Sequence, residues 1–244
     1  MTTSLLNSLL RALLRWGAAL VFCLPLRHRP YFWARACGML LPLLLLAQLL
    51  DPLAQSTTLC QQQLLLLALY VSFFALLGGM IYLCTDINKK GALYCAVWSL
   101  LIAQCAYESW CFLELQFTRY GHPLNMASPW AVLVQLLSGA VFFAAVYILL
   151  ARQLPYKGDY HIGPRQLFSA FFIGILFMVQ AAVLDNARAE HTPLSLTVTI
   201  LIGQFYFITL LYFQSELFKK SAMEKEMNEL NLPVSYTHLT LPTL

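Results

Sequence analysis

The chain has 244 residues, of which 60% are hydrophobic and 11% charged, and its mean hydropathy is +0.68. A soluble domain carries roughly a quarter charged residues, so this composition excludes that class and points to an integral membrane protein. The net charge of +4 is then a matter of membrane topology, and no pattern in it suggests nucleic acid as a partner.

A hydrocarbon layer of roughly 30 Å takes about 20 apolar residues at 1.5 Å rise each, which sets the length to look for. The first candidate, Leu5–Leu26, carries Arg11 and Arg15 one turn apart on one face. Two guanidinium groups in lipid are costly, so an interfacial amphipathic helix is the alternative to a span. A span is favoured, because Trp16–Leu26 is too apolar and too short to stand alone. Six further runs meet the length without buried charge: Tyr31–Leu50, Leu64–Cys84, Ala92–Leu113, Trp130–Leu150, Leu167–Leu184 and Leu194–Gln214. The expected fold is an all-α, polytopic bundle of six to seven transmembrane helices.

Pro42 in the second run removes a backbone donor and is expected to bend that helix. Small residues four apart, at Ala75 and Gly79, Ala140 and Ala144, and Ala170 and Gly174, mark places where two helices can approach closely. Tyr31, Trp33, Trp110, Trp130 and Tyr212 fall at the expected rims, where aromatic rings anchor at the interface.

The fourth run contains Glu108, one turn after Gln104. A carboxylate inside a span is by default a site hypothesis: a contact for a cationic ligand, or a protonation switch. The plainer expectation comes first, that Glu108 reaches outward or bonds to Gln135 or Gln204. With no second buried acid, internal repeat or paired broken helices, an ion-coupled transporter is disfavoured. The cysteines, Cys23, Cys37, Cys60, Cys84, Cys95, Cys105 and Cys111, form no metal-binding spacing and read as small buried apolar residues. Cys60 and Cys111 fall toward the same side, where a disulfide is geometrically open. There is no catalytic motif: no activated nucleophile, phosphate loop or paired carboxylates.

Basic residues alternate sharply between the segments joining the runs. One alternate set holds Arg27, Arg29, Arg35, Lys89, Lys90, Arg152, Lys157, Arg165, Lys219, Lys220 and Lys225, while the other holds only Arg119 and Arg188. By the positive-inside rule the first set, with the charged C-terminal segment, is cytoplasmic in a multi-pass protein of the cell membrane. The outer segments, Asp51–Gln63, Glu114–Ser128 and Asp185–Pro193, are then 9 to 15 residues long, too short for a folded ectodomain.

Residues 1–214 thus form the expected transmembrane unit, and 215–232 a cytoplasmic helix. Glu216 and Lys220 make a helix-supporting pair, while Met223, Met227 and Leu230 follow the spacing of a coiled-coil seam. Leu217, Lys220, Met223, Met227 and Leu230 are the residues expected to pass motion along this helix. Beyond it, Val234–Thr243, VSYTHLTLPT, is similar to one reading frame of a widely used transposon-end sequencing adapter; Pro233 fits the preceding bases and Leu244 does not. Residues 233–244 are therefore expected to be adapter-derived, with the native sequence cut off near Leu232.

Two stretches carry a family resemblance. LLYFQSELFKKSAMEKEMNELNL, Leu210–Leu232, resembles the junction in bacterial sensor histidine kinases of the GHKL class, which includes peptide-pheromone receptors, and CLPLRHR, Cys23–Arg29, is similar to the end of their first helix. The resemblance implies a truncated membrane sensor of two-component signal transduction, with a homodimeric kinase, an external ligand such as a peptide, and a response regulator. It implies ATP only for a kinase domain absent here, whose phosphoacceptor segment and nucleotide boxes this chain lacks. No cofactor and no functional residue are carried over. The alternatives are a small-solute permease or membrane-bound transferase, and a structural membrane partner with a docking helix.

Overall fold

The computed structural model describes residues 2–55, 59–119, 129–153, 164–187, 198–210 and 212–214, together with Glu216, Lys220, Met223 and Met227. In chain order the helices are α1 Thr2–Cys23, α2 Phe32–Gln55, α3 Leu59–Cys84, α4 Lys89–Arg119, α5 Pro129–Leu149, a 3-10 turn Ala151–Gln153, and α6 Pro164–Ala187. A further apolar helix, α7, covers Val198–Gln214. No strand occurs among the described residues.

The bundle is built around α4, which packs against α1, α3, α5 and α6. Its burial is nearly continuous from Tyr94 to Ala106, as expected of a helix surrounded on all sides. Outer helices do the reverse and turn large apolar side chains outward, among them Leu41, Val71, Val141, Phe172 and Phe205. So much exposed apolar surface suits a hydrocarbon solvent and not water. Three stretches are long and apolar enough to cross a membrane: Leu67–Cys84, Lys89–Thr118 and Pro129–Leu149. Shorter apolar helical stretches lie at Phe32–Gln48, Gln166–Leu176 and Val198–Gln214.

Helix α1 lies within the bundle, against α2, α3, α4 and α5, and buries Ala12, Ala18, Ala19, Phe22 and Cys23. The tight crossing with α5 depends on two glycines. A Cβ at Gly139 would lie 2.6 Å from Leu14 Cδ2, and one at Gly17 would lie 2.9 Å from Phe143 Cε2. Each glycine receives a large side chain of the facing helix, which fixes the register of α1 on α5.

The α1–α2 and α3–α4 turns clasp each other. Arg29 N donates to Cys84 O at 3.0 Å and Asp86 N to Arg27 O at 3.0 Å, making an isolated antiparallel bridge between His28 and Thr85. Arg35 Nη1 adds a bond to Leu83 O at 2.8 Å, and the Arg29 guanidinium lies 3.7 Å from the Asp86 carboxylate. Asn88 caps α4 by accepting from Gly91 N through Oδ1 at 2.6 Å. Tyr31 starts α2 with its carbonyl accepting from Arg35 N, and its φ of 61° is left-handed, an unusual state for a bulky residue.

Several sequence expectations change here. Parts of the segments assigned to outer loops are helical: Asp51–Gln55 belong to α2, Leu59–Gln63 to α3, Glu114–Arg119 to α4 and Asp185–Ala187 to α6. Hydropathy marks only the lipid-facing part of a helix, and these polar ends extend beyond it. Trp110 is 1% exposed, packed with Cys111 and Ala131, so it is a core residue and not a rim anchor. Tyr31, Trp33, Trp130 and Tyr212 do project outward. Of the small-residue pairs, Ala170 and Gly174 meet α4, a Cβ at Gly174 falling 3.1 Å from Val97 Cγ1, whereas Ala140 and Ala144 face outward. Helix α2 is continuous through Pro42.

Candidate functional site

Across the middle of the bundle runs a polar layer. Helix α4 supplies Gln104, Tyr107, Glu108 and Ser109 over little more than one turn, and α1 supplies Arg11 and Arg15. Tyr70 comes from α3, and Gln204 from α7. The glycine contacts that align Leu14 with Gly139 and Gly17 with Phe143 place Arg11 and Gln135, one turn further along α1 and α5, at a common level.

Glu108 is 2% exposed, and its Oε1 accepts from Gln104 Nε2 at 3.4 Å, so the two candidate residues are joined along one helix face. Gln204 donates to Ser109 Oγ at 2.6 Å. Gln135 is fully buried, and neither end of its amide has a hydrogen-bond partner among the described residues.

The arginines of α1 point into this layer. Arg11 donates through Nη2 to the Tyr107 hydroxyl and stands 4.4 Å from the centre of the same ring. Arg15 stacks 3.8 Å over the ring of Phe73. Both guanidinium groups therefore rest on aromatic faces, which attract a cation most strongly where water is scarce. Between α1, α3 and α4 a cavity of about 30 Å³ is lined by Arg11, Leu14, Arg15, Tyr70, Ala103, Gln104 and Tyr107. That volume accommodates about two water molecules.

Helix α7 lies antiparallel along α4. Ile200 packs on Phe112 and Leu115, Gln204 bonds to Ser109, Phe207 meets Trp98 at 6.1 Å between ring centres, and Gln214 Oε1 accepts from the Tyr94 hydroxyl at 3.1 Å. Beyond α7, Glu216, Lys220, Met223 and Met227 are helical and exposed; Leu217 and Leu230 lie outside the described residues, as does the whole of 228–244. Cys23, Cys84, Cys95, Cys105 and Cys111 are buried and Cys37 is exposed, while the side chain of Cys60 lies outside the described set. Among the described residues no three His, Cys, Asp or Glu side chains come together as metal ligands.

Sequence reasoning singled out Gln104 and Glu108 but not Arg11, Arg15, Tyr70, Tyr107 or Ser109 as their neighbours. Arg11 was visible as a charge in an apolar run; its partner Tyr107 is 96 residues away, and only packing joins them.

No protein-family model, no curated protein and no solved structure matches the chain. Chemically, the layer brings hydrogen-bonding and charged side chains together inside the bundle.

Proposed function

We propose that the chain is the signal-input region of a sensor histidine kinase, held in the cell membrane by six to seven helices with its C-terminal segment on the cytoplasmic side. The supporting observation is the course of α7, bonded to the central helix through Gln204 near its middle and Gln214 at its end, and followed by the helical, exposed Glu216, Lys220, Met223 and Met227. No glycine or proline interrupts the sequence from Gln204 to Leu232, so a shift of α7 against α4 is carried outward instead of being absorbed. Met223 and Met227 present an apolar edge suited to the same edge of a second copy, and a homodimeric kinase with its response regulator lies downstream.

Signal arrives at the outer segments or the polar layer and biases two arrangements of the bundle. Full reversal of a 99:1 population takes a difference in affinity worth about 5.5 kcal/mol. Two measurements test the reading. The coding DNA downstream of Leu232 is expected to continue into an ATP-binding domain, and a natural stop there refutes the kinase assignment. In the restored parent, deleting one residue between Phe218 and Ala222 rotates the output helix by about 100° and is expected to change autophosphorylation. Output indifferent to a series of such deletions refutes rigid coupling.

A further inference from the structure

We infer that the clasped tip of the bundle, where the α1–α2 and α3–α4 turns meet, is a binding surface for the headgroup of an anionic glycerophospholipid. The inference rests on the membrane placement in the reading above and is independent of the kinase assignment.

Five basic side chains, Arg27, Arg29, Arg35, Lys89 and Lys90, are brought to this tip from two turns far apart in sequence, and Asp86 is the one acidic residue of those turns. They divide into two groups. Arg29 and Arg35 hold the clasp: Arg29 lies 3.7 Å from the Asp86 carboxylate and 5.1 Å over the Tyr82 ring, and Arg35 donates to Leu83 O at 2.8 Å. Arg27, Lys89 and Lys90 are exposed and make no ion pair or side-chain hydrogen bond among the described residues. The clasp gathers these three, since Asp86 N donates to Arg27 O and Lys89 follows three residues after Asp86. Lys89 and Lys90 open α4, where the helix dipole adds to their own positive charge and no acidic residue in the first turn offsets it. The alignment of Leu14 with Gly139 and of Gly17 with Phe143 makes α5 run parallel to α1, so α5 ends at the same tip and the exposed Arg152 follows it there. Like charges so gathered repel one another, and a bound anion relieves that repulsion.

The apolar surroundings select a lipid over a soluble anion. Tyr31 and Trp33 are 81% and 59% exposed, and Leu24 and Leu83 turn outward at the same turns. Exposed rings beside basic residues match the headgroup level of a bilayer, where the cation meets phosphate and the ring meets the acyl boundary. A free phosphate would answer the charges and leave the apolar side chains uncovered, whereas a phospholipid covers both. A phosphodiester without a compensating ammonium, as in phosphatidylglycerol, fits the excess of positive charge better than zwitterionic phosphatidylcholine.

The test reconstitutes the full chain into phosphatidylcholine vesicles carrying equal mole fractions of either phosphatidylglycerol or phosphatidylcholine with brominated chains. Quenching of Trp33 is followed, isolated as the fluorescence lost in Trp33→Phe. A preference for phosphatidylglycerol of about fivefold or more is expected, the scale of one basic residue at an anionic surface. Arg27→Gln combined with Lys89→Gln and Lys90→Gln should bring the preference close to unity, while Arg119→Gln at the other end of α4 should leave it unchanged. If the triple variant does not fold, salt gives the answer on the unaltered chain: raising ionic strength from about 0.1 M to about 1 M shortens the Debye length from about 10 Å to about 3 Å and should abolish the preference. Glycerol phosphate in solution is expected not to relieve the quenching; relief at concentrations comparable with the lipid assigns the surface to a free phosphate and overturns the lipid. Failure to float with vesicles of any composition refutes the membrane placement, and the headgroup surface with it. Incorporation with equal quenching by the two lipids overturns the headgroup surface alone and leaves the tip to a soluble acidic partner; a preference indifferent to both the substitutions and salt overturns it as well.

Discussion

Gly139→Ala tests whether α1 is a buried member of the bundle. The added Cβ would lie 2.6 Å from Leu14 Cδ2, whereas carbon atoms pack best at about 3.5–4.0 Å, so one side must yield by about 1 Å. Leu14 is 3% exposed and has little space to turn into. Overpacking of this kind costs about 1–3 kcal/mol, against a gain of about 1 kcal/mol from alanine's better helix propensity. A net loss of about 1 kcal/mol is expected. Leu14→Ala alone should cost about 2–5 kcal/mol through the lost packing. In the double variant the new Cβ enters the vacated space, and the combined loss should fall short of the sum by at least about 1 kcal/mol. Unfolding in mixed micelles, followed by circular dichroism and by alkylation of the buried Cys95 and Cys105, gives all four corners of the cycle. If Gly139→Ala stabilises by its full propensity gain and the two changes add, α1 does not pack on α5 and the interfacial placement regains its standing.

Other expectations rest on single contacts. Gln135→Leu should stabilise by about 1–3 kcal/mol, because it removes a buried amide with no hydrogen bond among the described residues; destabilisation in the same unfolding assay would reveal an essential partner. Tyr107→Phe should cost about 1.5–3 kcal/mol by removing the acceptor for Arg11, and Tyr107→Leu about 0.5–2 kcal/mol more by removing the ring beneath it. Equal losses would show that the ring contributes nothing. Tyr31→Gly should stabilise by about 1 kcal/mol, since glycine adopts the left-handed backbone at little cost, and a loss would show that the exposed ring matters more.

The helices were legible because long apolar runs separated by basic clusters leave few alternatives, and each expected run falls largely within a helix. Their ends were not. Asp51–Gln55 and Glu114–Arg119 are polar yet helical, and hydropathy does not distinguish a protruding helical turn from a loop. Arg11 and Arg15 made α1 ambiguous in the sequence, because the rings that accept them, Tyr107 and Phe73, belong to helices distant along the chain. Small-residue spacing picked out Ala170 and Gly174 but passed over Gly17 and Gly139, which act singly as sockets for a large side chain and so leave no repeat to find. At the site, Gln104 and Glu108 stood out as polar residues in an apolar stretch, whereas Tyr70 and Tyr107 are aromatic and blend into it.

The bridge between His28 and Thr85 has a mechanical corollary. It joins the turn linking α1 to α2 with the turn linking α3 to α4, so four rods are pinned together at one tip. Rods pinned at a tip can only splay, with an amplitude that grows with distance from the pin. The arginine cavity lies about midway along those rods, where a given angular change opens less than it does at their far ends, while α7 is joined to the pinned set only through its contacts along α4.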